Sequence, residues 1–336
     1  MHKRLVNHCT IDIGLIPKGP VLIKSSKEGA DPTKPDMEFV ETYHAGGRSL
    51  YFPGSSLKGA IRAHAERIIR TIGSDRRPDP LPDQTTQVMP LWTTNPLDQQ
   101  SYKYLEKAPD TQTIYRWSSF IDQIFGSTEI ASRLRIEDAY PVDISLVKTE
   151  ERNGVAIDRV FGSVAVGPFN YQVCTGGNFR TKIHLKNFTL EQLGLLGLVL
   201  RDLNEGWFGL GFAKSRGMGQ VEVELKQATV EYPGCVLNNG QICLLGSVDS
   251  SASHERRHWP HTSLIGAGAF LPDEERQRYG FPDNDVHDSD VRSTPVAAQE
   301  MTYGLGVRLT WPDGQVDDLF TRAVRAWRQR LEAVTR

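Results

Sequence analysis

Apolar residues follow two different rhythms along this chain, and each rhythm predicts an element. "LVNHCTIDIGLI", residues 5–16, alternates apolar and polar positions and predicts an opening strand. "SLYF" leads into Pro53-Gly54, after which Leu57, Ile61, Ala65, Ile68 and Ile72 recur at helical spacing. Ser55 or Ser56 can cap that helix and Gly73 stops it. "ASRLRIEDAYPVDIS" and "FNYQVCTGGNFRTKIHLKNF" predict strands, with a short helix "SSFIDQIFG" before them. "TLEQLGLLGLVLRDLNEG" gives the strongest helix signal, with leucines on most of its surface and Gly206 at its end. In the strand that follows, Val221, Val223 and Leu225 alternate. "VDDLFTRAVRAWRQRLEAV" carries Leu319, Ala323, Trp327, Leu331 and Val334 as one stripe, which predicts a helix docked on the rest of the protein. On that expectation Arg322, Arg325, Arg328 and Arg330 form its solvated face.

Other stretches lack sustained periodicity. "GPVLIKSSKEGADPTKPDMEFVETYHAGG" is a long excursion rich in glycine, proline and charge, with a short strand at "MEFVET". From Ser74 to about Ser118 the chain is proline-rich and polar, and is expected to be an insertion. "ERNGVAIDRVFGSVAVGPF" has spaced glycines, arginines at both ends and little to bury, which predicts a projecting hairpin over about 148–170. Beyond Tyr232 the pattern weakens into loops before the closing helix.

Composition narrows the class without naming a partner. The 336 residues, 39% hydrophobic and 24% charged, suffice for one large domain or two ordinary ones. A formal charge of −2 excludes a globally basic protein, so phosphate affinity rests on where the cations sit. Four cysteines, Cys9, Cys174, Cys235 and Cys243, show no CxxC spacing; free, buried thiols in a reducing cytoplasm are the expectation. No apolar run approaches the roughly 20 residues of a membrane span.

Two loops carry candidate chemistry. In "YFPGSSLKGAIRAHAERIIR" Gly54 and Gly59 are spaced as in a Walker A loop, but Ala60-Ile61 follow the second glycine where Lys-Ser or Lys-Thr is needed. What remains is a helix start with free amide N–H groups, where Ser55, Ser56, Lys58 and Arg62 are candidates to hold a phosphate. In "GLGFAKSRGMG", Lys214, Ser215 and Arg216 stand among glycines that let a backbone come close. Its spacing, and its place after a helix, differ from a dinucleotide-binding loop. Two basic loops at helix ends suit an extended polyanion, a nucleic-acid strand, and Arg133, Arg135, Arg152 and Arg159 would extend the track. Each of these residues has a bland reading as well: a tight turn, a glycine-rich corner or a surface ion pair.

Five motifs in order resemble the RAMP proteins, RNA-binding subunits of type III CRISPR effector complexes. They are "GADPTKPDM", "YFPGSSLKGAIRAHAERI", "FGSTEIASRLRIEDAYP", "RNGVAIDRVFG" and "EGWFGLGFAKSRGMGQVEVEL", spread over about residues 8–226. The resemblance implies an α+β, ferredoxin-like (RRM-like) core over 1–230 with the insertion at 74–118, a thumb hairpin that wedges into a guide–target duplex, and a C-terminal extension over 231–336. It implies crRNA, target RNA and neighbouring effector subunits as partners, in a type III-D-like complex, in the cytoplasm and away from membranes. It also implies a cutting aspartate in the loop after the first strand. Asp36 fits that position best and Asp31 second, acting with a divalent cation, Mg²⁺ or Mn²⁺, to promote attack by a ribose 2′-hydroxyl. A lone aspartate with a pKa of about 3.9 is a poor base, so the metal or the strand geometry must carry much of the rate. Alternatives are a structural subunit that binds without cutting, and a stand-alone processing nuclease using a histidine. His64 falls beside the apolar helix face and is expected to pack, whereas His44 stays open. The insertion has no cysteine, so no zinc site is expected.

Overall fold

The computed structural model describes residues 4–25, 35–44, 47–86, 88–246, 257–288 and 296–334. Its core elements are β1 (His8–Pro17), α1 (Gly54–Ile72), β2 (Leu134–Ile136), β3 (Lys148–Ile157), β4 (Val164–Gly176), β5 (Phe179–Lys186), α2 (Leu190–Asn204), β6 (Val221–Tyr232), β7 (Val307–Trp311) and α3 (Val316–Val334). One antiparallel sheet runs β7–β6–β1–β5–β2. Its central four strands, with α1 and α2 as the connections, make the βαββαβ order β6–β1–β5–β2 of a ferredoxin-like core.

Alternation decides which face the helices cover. In β1, Cys9, Ile11, Ile13 and Leu15 are buried, and Ile11 lies opposite both Ile183 of β5 and Ala228 of β6. The intervening Thr10 and Asp12 are only half-buried, on the open face. There Asp12 pairs with Arg180 at 3.0 Å. Helix α1 lays Leu57, Ile61, Ala65 and Ile69 on the apolar face. Helix α2 begins in a capping box of Thr189 and Gln192 and is buried almost all round, because α3 covers the side that the sheet does not. Gly194 and Gly197 permit that contact: a Cβ would collide with the Ala323 carbonyl at the first and the Phe320 ring at the second.

The C-terminal segment therefore completes the core. Strand β7 adds to the sheet beside β6, and α3 docks by its apolar stripe. The expected solvated face of α3 is wrong for two of its four arginines. Arg322 is 1% exposed and donates to the Thr262 carbonyl at 2.9 Å, while Arg330 donates to the Met89 carbonyl at 2.7 Å and lies over the Phe120 ring. Arg328 does face solvent, paired with Glu332. The segment between α1 and β2 is likewise folded onto the body, burying Leu91, Trp92, Tyr102, Leu105 and Tyr115.

Strands β3 and β4 form a two-stranded hairpin that leaves the sheet between β2 and β5. Val155, Ile157, Val160, Phe161, Val164 and Val166 are all exposed on it. At the tip the Asp158 carboxylate accepts the Val160 and Phe161 N–H groups at 2.7 and 2.9 Å, and Gly162 takes φ +69°. The hairpin thus has a hydrogen-bonded turn carrying apolar side chains that no described residue covers.

Candidate nucleic-acid interface

The start of α1 is held from a distance. Its N-cap is Pro53, and neither Ser55 nor Ser56 makes a capping hydrogen bond, contrary to expectation. The Asp138 carboxylate instead accepts the Gly54 N–H at 2.7 Å, and a Cβ on Gly54 would collide with the Ile136 carbonyl. Ser55 is exposed and Ser56 half-exposed, one turn before Ala60 on the same face. Lys58 donates to the Ser132 hydroxyl at 2.7 Å, and burial, with Arg62 beside it, pulls its pKa below the ordinary lysine value. Arg62 is fully engaged, donating to Glu66 at 2.9 Å and to Asp122 and the Gly126 carbonyl at 2.8 Å.

The glycine-rich loop after α2 is built by close backbone approach. Gly211 and Gly219 have φ of +76° and +89°, and a Cβ at either would overlap a carbonyl oxygen, that of Leu22 or of Leu210. The Phe212 N–H donates to the Leu22 carbonyl at 2.7 Å and the Gly219 N–H to the Pro20 carbonyl at 2.8 Å. Between these anchors Lys214, Ser215 and Arg216 form a single 3₁₀ turn bounded by left-handed Ala213 and Gly217. All three are exposed, and neither cation pairs with a carboxylate among the described residues.

Residues Pro20–Ile23 tie this loop to the hairpin. Val21 exchanges both backbone hydrogen bonds with Cys174 near the base of β4, at 2.9 and 2.8 Å, and Ile23 accepts the Val40 N–H at 2.9 Å. The returning segment then runs beside β4, with Met37 bridged to Tyr171. Asp36 is exposed there, its Oδ2 accepting the Asn170 N–H at 2.9 Å. Asp31 lies outside the described residues. The structure thus brings Asp36, the hairpin base and the glycine-rich loop onto one connected framework.

The arginines divide. Arg152 and Arg159 are exposed on the hairpin, Arg152 beside Glu150 at 3.4 Å. Arg135 is exposed on the open sheet face, paired with Glu137 at 3.3 Å. Arg133 is no part of a surface track: it is 2% exposed, donates to Tyr115 Oη at 2.9 Å and the Asn187 carbonyl at 2.8 Å, and lies over the Tyr115 ring. His64 packs as expected, bonded to Asp202 at 2.7 Å and stacked on Phe208. His44 stacks on the Tyr140 ring at 3.7 Å. Among the described residues no three His, Cys, Asp or Glu side chains group as metal ligands. None of the helices is long and apolar enough to cross a membrane, again among described residues. Sequence reasoning missed Asp138, Arg67 and Trp207; only the last had a local signal, a tryptophan directly after a helix-ending glycine.

A ferredoxin-like sheet with a projecting hairpin and a glycine-rich loop before its last core strand defines the class. The RAMP superfamily model matches residues 17–222, and the chain belongs to that family. The family is associated with RNA-binding subunits of type III CRISPR complexes. Comparison with curated proteins returns no match.

Proposed function

We propose that this chain is a guide-RNA-binding backbone subunit of a type III CRISPR effector complex, and that it cleaves target RNA at Asp36. The observation that carries the reading is the hydrogen bond from the Asn170 N–H to Asp36, which fixes the carboxylate against β4 partway along the exposed hairpin, where Asn170 faces Asn153. A duplex parted by the apolar tip would bring its backbone past that side of the hairpin. Lys214, Ser215 and Arg216 supply uncompensated donors for the guide phosphates, and Arg152 and Arg159 supply charge along the hairpin.

Asp36 offers one carboxylate oxygen, Oδ1, that no described donor occupies, and among the described residues no group of three metal-ligating side chains is found. Asp36 is the residue that would hold Mg²⁺ or Mn²⁺, hard cations that take oxygen ligands and do not require an all-protein cage. When bound, such an ion neutralises phosphate charge and acidifies the ribose hydroxyl. The residues of the chain would do the rest by position: the hairpin would splay the strand, and Asp36 would hold the cation beside the exposed backbone.

The test is Asp36→Ala in the assembled complex with crRNA and a labelled complementary RNA. Target affinity is expected to stay within about twofold, with cleavage lost at the positions this subunit serves and wild-type cleavage abolished by EDTA. Unchanged cleavage in Asp36→Ala would leave a subunit that binds without cutting. Cutting by the purified chain alone in EDTA would instead point to a metal-free processing nuclease.

A further inference from the structure

Beside the glycine-rich loop lies a cavity of about 230 Å³, of which the backbone-binding role uses only the Lys214 rim. One wall is the outer face of α1, with Ala60, Ala63 and Arg67; the other is the chain from Gly206 to Gln220. Trp207 stands at its edge 65% exposed, an aromatic surface that no packing requirement explains. Its backbone is nonetheless fixed: the Trp207 N–H donates to the Asp202 carbonyl at 2.9 Å, and Phe208 beneath it is locked by the stack on His64, centroids 4.3 Å apart. The Arg201 guanidinium lies 5.8 Å from the indole centroid, and Arg201 is itself neutralised by Asp202 at 2.7 Å.

The electrostatics of this cavity point one way. Among the described residues no acidic side chain lines it. Arg67 and Lys214, on opposite walls, are exposed and pair with no carboxylate among the described residues. At Gly217 the wall is open: a Cβ there would meet nothing within 4 Å. Gln220 adds a side-chain amide that can both donate and accept. An indole face, two free cations on opposite walls and one amide are the complement of a single unstacked nucleotide. The base has a π face and a hydrogen-bonding edge, and its flanking phosphates need cations.

We infer that this slot takes one flipped-out nucleobase of the bound single strand, stacked on Trp207, with Arg67 and Lys214 on the phosphates to either side. The inference rests on the RNA-binding reading above and adds to it a point of base contact, so the chain grips RNA by a base as well as by the sugar–phosphate backbone.

The test titrates the full chain with a fluorescent single-stranded RNA 12-mer of mixed sequence and repeats this across salt concentrations. Trp207→Ala is expected to weaken binding roughly 5- to 150-fold, the range that stacking one base supports, with the salt slope unchanged. Trp207→Phe is expected to restore most of the loss, and thermal melts of both variants to match wild type. Arg67→Ala/Lys214→Ala is expected to lower the salt slope by about 1.4, at about 0.7 per phosphate released from single-stranded RNA. Wild-type affinity in Trp207→Ala, or a loss seen only in self-association, would overturn the slot while leaving the RNA reading intact. No binding by the wild-type chain at low salt would overturn the RNA reading itself.

Discussion

Replacing Arg133 separates a structural cation from an RNA-binding one, and the structure sets the size of the effect. The guanidinium makes two charge-assisted hydrogen bonds, to Tyr115 Oη and the Asn187 carbonyl, worth about 1.5–3 kcal/mol each. It also sits 4.1 Å from the Tyr115 ring centroid, worth about 2 kcal/mol when desolvated. Against these stands burial of a charge with no carboxylate bonded to it and with Nη2 unpartnered; burial pulls its pKa below the ordinary arginine value. Tyr115 keeps a bond from Gln192 at 2.9 Å when the arginine is removed. Arg133→Met fills most of the volume and sheds the buried charge, so the net loss is expected to be small, about 1–2 kcal/mol. Arg133→Ala adds a cavity and is expected to cost about 3–5 kcal/mol. Urea unfolding followed by tryptophan fluorescence measures both. Single-stranded RNA affinity of folded Arg133→Met is expected to equal wild type, with the same salt slope. A variant of wild-type stability whose affinity fell, with a slope smaller by about 0.7, would refute the assignment and return Arg133 to the RNA track.

Two further outcomes test the framework. Gly211→Ala forces a positive φ on alanine and drives its Cβ into the Leu22 carbonyl, so a loss of about 2–4 kcal/mol is expected, whereas Gly217→Ala, with open space before it, is expected to cost about 1 kcal/mol. Equal losses in melts of the two would contradict the loop's packing. Burial pushes the Asp285 carboxyl up to about 7, although it accepts the Leu190 and Gly268 N–H groups at 2.9 Å. Because the folded-state pKa is the higher one, this group's stabilisation is complete below about pH 4 and is lost as pH rises through 7. The ceiling is on the order of 4 kcal/mol, about three units at 1.36 kcal/mol each. Asp285→Asn is expected to flatten that part of the stability–pH curve between pH 4 and 7; an unchanged curve would place the titration elsewhere.

What could be read in the sequence depended on how far away each residue's partner lies. The alternation of β1, the leucines of α2 and the scarcity of apolar residues to bury in "RNGVAIDRVFG" are local statements about one face, two faces or none. The first two appear as a strand and a helix, and the third as an exposed hairpin extending to Gly176. Lys214 and Arg216 were legible for a related reason: positive-φ residues on both sides keep their turn short and outward, and no carboxylate lies within that turn. The basic residues near α1 obey no such local rule. Lys58 is claimed by Ser132, Arg62 by Asp122, and the helix start by Asp138, partners 60 to 84 residues away in sequence.

Arg133 and Arg330 went the same way, each to a carbonyl more than 50 residues distant. A cation is free for RNA only when the fold brings nothing acidic or carbonyl-bearing within reach, and a linear pattern cannot report that. By this criterion the candidate interface contracts from both loops and every arginine to the glycine-rich turn, the outer face of α1 at Arg67, and Arg159 on the hairpin, since Arg152 pairs with Glu150. Asp36 falls at the junction of these parts because the backbone of Pro20–Ile23 bonds to the glycine-rich loop on one side and to β4 on the other. On the proposed function, variants that loosen that strap, such as Gly211→Ala, are therefore expected to reduce target cleavage as well as RNA affinity at the loop.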